Sequence, residues 1–170
     1  MTKKKRTEIS TGLLKYCELD TLAKLIPKVS EWLEYQENNI ISIGRDLTLE
    51  ELDIAKRIGI KNYDIIRVYV SPIVPTPKDI VLLELGKKVG LISSNTHGIC
   101  FRYGIFINEQ TENKKAVLTH ELIHTLQYER FGSIKSFISN YLKECIEEGY
   151  HESDLEKEAC EGHLSFMFNP

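Results

Sequence analysis

The 170-residue sequence lacks the markers of a secreted or membrane-embedded chain. Its four cysteines form no C-x-x-C pair, and with 42% hydrophobic residues the chain has enough apolar side chains to fold without disulfides. Its apolar stretches, such as "IIRVYV" and "IVLLELG", fall well short of the ~20 residues that cross a bilayer. Charged residues interrupt the segment after Arg6, where a secretory signal would place an apolar run. We therefore expect reduced thiols, no membrane contact and a cytoplasmic location.

An excess of one charge is also missing. The 22 basic and 25 acidic residues leave a net charge of −3, and both signs are spread along the chain. The basic cluster "KKKR" (Lys3–Arg6) stands near the start, where a solvated terminus explains it. This balance gives no electrostatic basis for binding nucleic acid. Nucleic acid is therefore not an expected partner.

The pattern of apolar and turn-forming residues predicts one domain. Residues 1–12 are predicted to be a flexible N-terminus, and residues 13–170 to form a single, mostly helical α+β domain. Within a helical pattern over residues 13–43, Pro27 is expected either to interrupt the helix or to start a second helix at its first turn, because proline lacks the N–H that a helix interior uses. The segment "HGICFRYGIFIN" (His97–Asn108) is predicted to be a strand or a short hairpin, which places a small sheet ahead of the later helices. The other predicted elements are a capped helix from Thr48 to Gly59, a strand over Asp64–Val70, and helices ending at Gly90, Gly149 and Phe168.

One stretch, "AVLTHELIHTLQYERFG" (Ala116–Gly132), carries a clear chemical pattern. His120 and His124 are four positions apart, so on a helix they project from the same face, one turn apart. Two imidazoles placed in this way can supply two corners of a zinc tetrahedron. Glu121 is rotated from His120 by about 100° around the helix, which suits a residue beside an open coordination position. This is the H-E-x-x-H pattern of zinc metalloproteases, in which the glutamate is the general base.

The same stretch could instead be an ordinary core helix. Its histidines would then be satisfied by backbone or carboxylate partners, because an unpaired buried charge is costly. The complete motif within an apolar helical frame favours the metal site over this alternative. The apolar residues that indicate burial of the helix are Val117, Leu118, Leu122, Ile123 and Leu126.

A zinc site needs a third protein ligand. The metzincin class is excluded, because Gln127 and Arg130 stand where that class has glycine and histidine. The third ligand could instead come from a later helix, whose segment "LEKEACEGH" contains Glu156 and Glu158. These two carboxylates are about 200° apart on a helix. We therefore expect only one of them to face the metal.

This combination resembles the gluzincin class of zinc metallopeptidases, in which a glutamate on a downstream helix completes a His2Glu site. The resemblance implies a zincin-like fold for residues 13–170. In the branch that includes the prenyl-protein endopeptidases, that glutamate lies in an E-x-x-A-D pattern. The segment "EKEAC" matches the pattern with Glu156 and Ala159, while Cys160 replaces the aspartate. The resemblance therefore favours Glu156 as the third ligand, with Glu158 as the alternative.

The sequence is also similar to a group of small bacterial H-E-x-x-H proteins without an assigned function. In that group H-E-L-x-H-x-x-Q-Y-x-x-x-G precedes G-Y-x-x-x-P-L-E-x-E-A, and this chain departs from the pattern at Asp154, where proline is usual. The similarity covers residues 45–165 approximately. It implies the same kind of metal-binding core but indicates no substrate.

The resemblance implies hydrolysis by metal-activated water. His120, His124 and Glu156 would hold Zn2+, and Glu121 would take a proton from the water as general base and return it to the leaving nitrogen. A donor to the developing oxyanion is also usual in gluzincins. The candidates for that donor are Tyr150, His151 and His163.

Other residues are predicted to have supporting roles. In gluzincins an edge strand ahead of the motif helix pairs with the extended substrate backbone, and "RYGIFIN" (Arg102–Asn108) stands where that strand is expected. Asp154 or Glu161 is the expected partner that orients a ligand histidine. Tyr128 and Tyr141 are predicted to be packing residues.

The predicted function is therefore a zinc-dependent metallopeptidase that acts on a peptide or protein. The alternative is a non-catalytic, zinc-bound scaffold or partner-binding domain. Structural zinc sites usually have four protein ligands, so this alternative would recruit His163 or Cys160 as the fourth. The presence of Glu121 favours the enzyme, because a purely structural site gains nothing from that residue.

Overall fold

The first helix continues through its proline. The computed structural model describes the backbone of residues 3–168 and the side chains of residues 21–166. In it, α1 (Lys3–Ile43) contains Pro27 in its interior, so both the predicted interruption and a second helix starting at Pro27 are wrong. An interior proline costs about 3 kcal/mol, whereas each buried Leu, Ile or Val side chain contributes about 1.5–3 kcal/mol. Burial on one continuous face therefore outweighs the lost hydrogen bond. The buried residues around Pro27 on that face are Leu22, Ile26, Val29, Leu33 and Ile40.

The described part of the chain has five further α-helices, and their ends follow local signals. Thr48 and Glu51 form both bonds of the predicted capping box at the start of α2, and Gly59 ends that helix at a φ of 97°. None of the helices described is long and apolar enough to cross a lipid bilayer. The predicted flexible terminus, residues 1–12, lies outside the residues whose side chains are described. The helices are α2 (Leu49–Ile58), α3 (Ile80–Lys88), α4 (Lys114–Phe131), α5 (Ile134–Glu147) and α6 (Asp154–Phe168).

Four short strands form one mixed sheet. They are β1 (Arg45–Asp46), β2 (Arg67–Ser71), β3 (Gly98–Phe101) and β4 (Gly104–Asn108), in the spatial order β1-β2-β4-β3. β2 and β4 are parallel, while the two outer pairs are antiparallel. The predicted mostly helical α+β fold, with a small sheet ahead of the motif helix, is confirmed.

The segment predicted as a strand or hairpin is the β3–β4 hairpin, and its order in the sheet corrects one expectation. β4, which contains most of "RYGIFIN", lies inside the sheet between β2 and β3. The strand with a free edge beside the motif helix is therefore β3, "GICF". Parallel pairing of β2 with β4 is a long-range contact that places β4 inside, and local sequence patterns do not report such contacts.

The turn of this hairpin is tied to two helices. Arg102 adopts a φ of 68°, a left-handed conformation that costs a non-glycine residue about 1–2 kcal/mol. Its guanidinium donates two hydrogen bonds to Glu37 of α1, at 2.8 and 2.6 Å, and Glu37 is only 2% exposed. The hydroxyl of Thr125 on α4 donates to the Arg102 carbonyl at 2.7 Å. The Glu37 pair therefore holds the turn against α1, and the Thr125 contact holds it against the motif helix α4.

The substitution Glu37→Ala should lower the free energy of unfolding by about 3 kcal/mol, because it leaves the Arg102 charge without its partner. This value is at the low end for a buried pair, since the Arg102 side chain is 34% exposed. Urea denaturation measures the effect. As a control, Glu31→Ala at an exposed position of α1 should change stability by less than about 0.5 kcal/mol. Equal losses in both variants would contradict a specific role for the ion pair.

Candidate metal centre

Helices α4 and α6 bring two histidines and a glutamate together in the interior. The Nε2 atoms of His120 and His124 are 3.1 Å apart. Glu156 on α6 places Oε2 at 3.4 Å from Nε2 of His120 and Oε1 at 3.3 Å from Nε2 of His124. Among the described residues, these three form the group that could hold a metal ion. The structure thus brings Glu156, rather than the alternative Glu158, to the two histidines.

The spacing of these atoms is close to that around a tetrahedral metal ion. Bonds of about 2.0–2.1 Å to a tetrahedral ion place neighbouring ligand atoms about 3.3 Å apart. The two histidine Nε2 atoms are 3.1 Å apart, and each lies 3.3 or 3.4 Å from a different oxygen of Glu156. With one ligand atom taken from each residue, the three atoms lie within 4.8 Å of one another, so a small rotation of the carboxylate brings them to that edge length. Two imidazole nitrogens and a carboxylate oxygen are also a ligand set that transition metals accept. The residues present therefore fit a metal.

Small residues on α6 allow the close approach of the two helices. Ala159 is completely buried, and a Cβ at Gly162 would lie 2.5 Å from Cδ1 of Ile123 on α4. The hydroxyl of Ser153 accepts the backbone N–H of Glu156 at 3.2 Å and caps the start of α6. Glu156 therefore lies in the first turn, where the helix dipole favours a negative charge.

The charges within the group compensate one another. Burial opposes ionisation of Glu156, but hydrogen bonds from His120, His124 and Tyr141 hold the pKa of this carboxyl far below its usual range. Burial also opposes the charged form of His124, yet its hydrogen bond to Glu156 and the nearby carboxylates raise the pKa of His124 to about 9. The metal-free group thus holds a proton at the position where a cation would bind.

Two tyrosines near the group have different roles. Tyr128 is buried, with its ring centroid 3.8 Å from that of Phe137, in the packing role predicted for it. The hydroxyl of Tyr141 on α5, by contrast, donates to Oε1 of Glu156 at 2.6 Å. Tyr141 is therefore more than the predicted packing residue, because it orients the candidate ligand and stabilises its charge.

Gln127, rather than the predicted Asp154 or Glu161, contacts a ligand histidine. Both of these carboxylates are exposed on α6. Gln127, which is completely buried, lies with Oε1 at 2.8 Å from Nδ1 of His124. Glu158 accepts a hydrogen bond from Gln127 at 2.9 Å and pairs with Arg130. A glutamine three positions after a ligand histidine, on the same helix face, was the available sequence signal.

Glu121 lies beside the group, against the edge of β3. Its side chain is buried, with 6% exposed, and a Cβ at Gly98 would approach its Oε1 to 2.7 Å. Burial raises the pKa of Glu121, while the nearby histidines and a hydrogen bond from the backbone N–H of Cys100 oppose the increase. Only glycine at position 98 leaves room for this carboxylate.

A cleft of about 760 Å³ gives solvent and larger molecules access to these residues. Its walls come from β3, α4, α5 and the segment after α3.

All three predicted oxyanion donors line this cleft. Tyr150 is hydrogen-bonded to Glu156, and burial raises the pKa of its hydroxyl. His151 is exposed, and the ring centroid of His163 lies 5.9 Å from that of His120.

Comparison with known proteins gives no relative: no protein-family model, curated protein or solved structure matches the chain. The resemblance to gluzincins, to the zincin-like fold and to small bacterial H-E-x-x-H proteins therefore stays a prediction from the sequence motifs. The candidate metal centre rests on the arrangement of its own residues.

The raised pKa of His124 predicts pH-dependent metal binding. His124 is charged below about pH 9 in the metal-free protein, so a cation at Nε2 must displace a proton. The apparent Kd for Zn2+ should therefore tighten about tenfold per pH unit between about pH 6.5 and 8.5, and level off above about pH 9. Competition with a chelator of known protonation measures this slope.

The exposed His151 provides a control, since His151→Ala should leave the slope unchanged. A Kd that does not vary with pH over this interval would contradict the displacement of a proton from His124 on metal binding.

Proposed function

We propose that the protein is a cytoplasmic, zinc-dependent metallopeptidase that hydrolyses peptide bonds in a peptide or protein. The observation that carries the proposal is the position of Glu121, a buried carboxylate in the same cleft as the ligand group and separate from it. Two histidines and one glutamate are a ligand set of catalytic zinc sites, which keep a fourth position open. An adjacent base is what hydrolysis at such a site requires.

Each residue then has a chemical task. Bound Zn2+ supplies a Lewis acid and water of lowered pKa. His120, His124 and Glu156 hold the ion, and Tyr141 holds Glu156. Glu121 accepts the proton of the attacking water and delivers it to the leaving nitrogen, a role suited by a pKa raised above that of an exposed carboxyl. The donor to the oxyanion comes from Tyr150, His151 or His163.

The free edge of β3 supports a peptide as the substrate. The Asn108 N–H donates to the His97 carbonyl at 2.7 Å, so alternate residues of β3 bond to β4. The backbone groups of Gly98 and Cys100 therefore point away from β4, towards α4 and the cleft. An extended peptide can add to such an edge through main-chain hydrogen bonds.

The scaffold alternative lacks its predicted fourth ligand among the described residues. The sulfur of Cys160 lies 4.0 Å from Nδ1 of His120, the ring nitrogen on the far side from Glu156. His163 is outside the group that could hold the ion. A three-ligand site with a carboxylate beside it favours catalysis over a purely structural role.

Glu121→Gln should keep metal binding and abolish catalysis. We expect zinc content close to that of the wild type and hydrolysis of unstructured protein or quenched peptide substrates reduced by at least about 100-fold, because the amide cannot accept the proton. Elemental analysis and peptide fluorescence measure the two quantities. Glu112→Gln, at an exposed position before α4, is the control.

Two results would contradict the proposal. Hydrolysis that survives Glu121→Gln would exclude Glu121 as the base. Purified wild type with less than about half an equivalent of bound Zn2+ under saturating conditions would exclude the zinc site itself.

Gly98→Ala tests the position of the base. The new methyl group would lie 2.7 Å from both Oε1 of Glu121 and Cγ1 of Val117, so the carboxylate must move. Turnover should fall about 100-fold, as expected when a catalytic group is displaced by about 1 Å, with zinc content unchanged. Adding Val117→Ala removes one of the two clashes and should not restore turnover. Full activity in Gly98→Ala would contradict the assigned position.

A further inference from the structure

A chain of hydrogen bonds leads from a surface ion pair to the ligand His124. Gln127, one turn after His124 on α4, places Oε1 at 2.8 Å from Nδ1 of that histidine. Its Nε2 lies 2.9 Å from the carbonyl oxygen of Leu155 and 2.9 Å from Oε2 of Glu158. On the solvent side Glu158 pairs with Arg130. We propose that Gln127 is a positioning residue that fixes His124 as an Nε2 ligand, and that Glu158 holds Gln127 in place. This inference rests on the metal site of the proposed function.

The partners of Gln127 determine which way its amide points. A carbonyl oxygen and a carboxylate accept hydrogen bonds and do not donate them. The NH2 group must therefore face Leu155 and Glu158, which turns Oε1 towards His124. Because Oε1 is an acceptor, the proton between the two side chains belongs to Nδ1 of His124.

This proton position determines which nitrogen binds metal. A neutral imidazole carries one N–H, so with the proton on Nδ1 the lone pair is on Nε2. Nε2 is the atom that lies 3.1 Å from His120 and 3.3 Å from Glu156. Gln127 thus selects the tautomer that the ligand geometry needs, as partners of metal-binding histidines commonly do.

Gln127 also joins the two helices that supply the ligands. It lies on α4 beside His124, while Leu155 and Glu158 flank Glu156 on α6. The buried side chain of Gln127 therefore orients His124 and also positions the turn of α6 that carries Glu156. His120 is held differently, since its Nδ1 meets the sulfur of Cys160 at 4.0 Å, a weak contact.

The position of the proton is measured directly in the zinc-loaded wild type. In nuclear magnetic resonance spectra of protein with 15N-labelled histidine, the remaining proton of His124 should be on Nδ1. It should exchange slowly with solvent, because it is buried and hydrogen-bonded. A proton on Nε2, with Nδ1 as the ligand atom, would overturn the inference without any variant.

Variants then test the order of importance along the chain of contacts. Gln127→Leu should weaken Zn2+ binding by about 10–100-fold and remove the protected His124 Nδ1–H signal. Glu158→Ala, at the half-buried end of the chain, should weaken binding less than about tenfold and shift the same signal. Glu161→Ala, at an exposed position of α6, is the matched control and should change neither.

The outcomes separate this inference from the proposed function. If Gln127→Leu folds and retains the wild-type Kd for Zn2+, the positioning role is wrong and the metal site stands. If that variant does not fold, an unshifted His124 signal in Glu158→Ala overturns the role of Glu158, and the wild-type spectrum still decides the tautomer. A wild type that binds no Zn2+ overturns both proposals. The absence of peptide hydrolysis in a zinc-binding wild type would contradict only the proposed function.

Discussion

The carboxylate of Glu156 is ionised in the interior, with 3% of the residue exposed, and the helices around it are arranged to compensate that charge. An isolated buried carboxylate costs several kcal/mol, so it needs donors on every accessible side. They come from His120 and His124 on α4 and from Tyr141 on α5. Because α6 packs against α4 and α5 at Glu156, the same packing brings the three metal-ligating side chains together. Packing and the candidate site therefore share one electrostatic constraint.

A residue of this site can be predicted from the sequence when its role depends on its spacing along one helix. It cannot be predicted in this way when its role depends on a contact with a distant part of the chain. His120, Glu121 and His124 follow from helical periodicity alone. Glu156 could be chosen over Glu158 only with the help of a resemblance, because a single helix offers both carboxylates and their partners lie elsewhere. Tyr141 has no local signal at all, since its hydroxyl meets a side chain that is 15 residues further along the chain.

The fold divides in the same way. Capping residues and glycines predict where helices such as α2 begin and end, because those signals act within a few residues. The place of β4 inside the sheet depends on parallel pairing with β2, a contact between distant segments. Pro27 shows the reverse situation, in which a valid local rule yields to burial along the rest of α1. Local patterns thus predict the elements better than their arrangement.

Under the proposed function, one short edge strand sets the position of both the base and the substrate. β3 turns the backbone groups of only two of its residues, Gly98 and Cys100, away from β4. The Cys100 N–H holds Glu121, so an incoming peptide has to pair at Gly98. The missing side chain at Gly98 makes room for the Glu121 carboxylate and leaves the backbone accessible. Because the Glu37–Arg102 pair fixes the hairpin against α1 and Thr125 fixes it against α4, the distance between base and substrate depends on contacts outside the cleft.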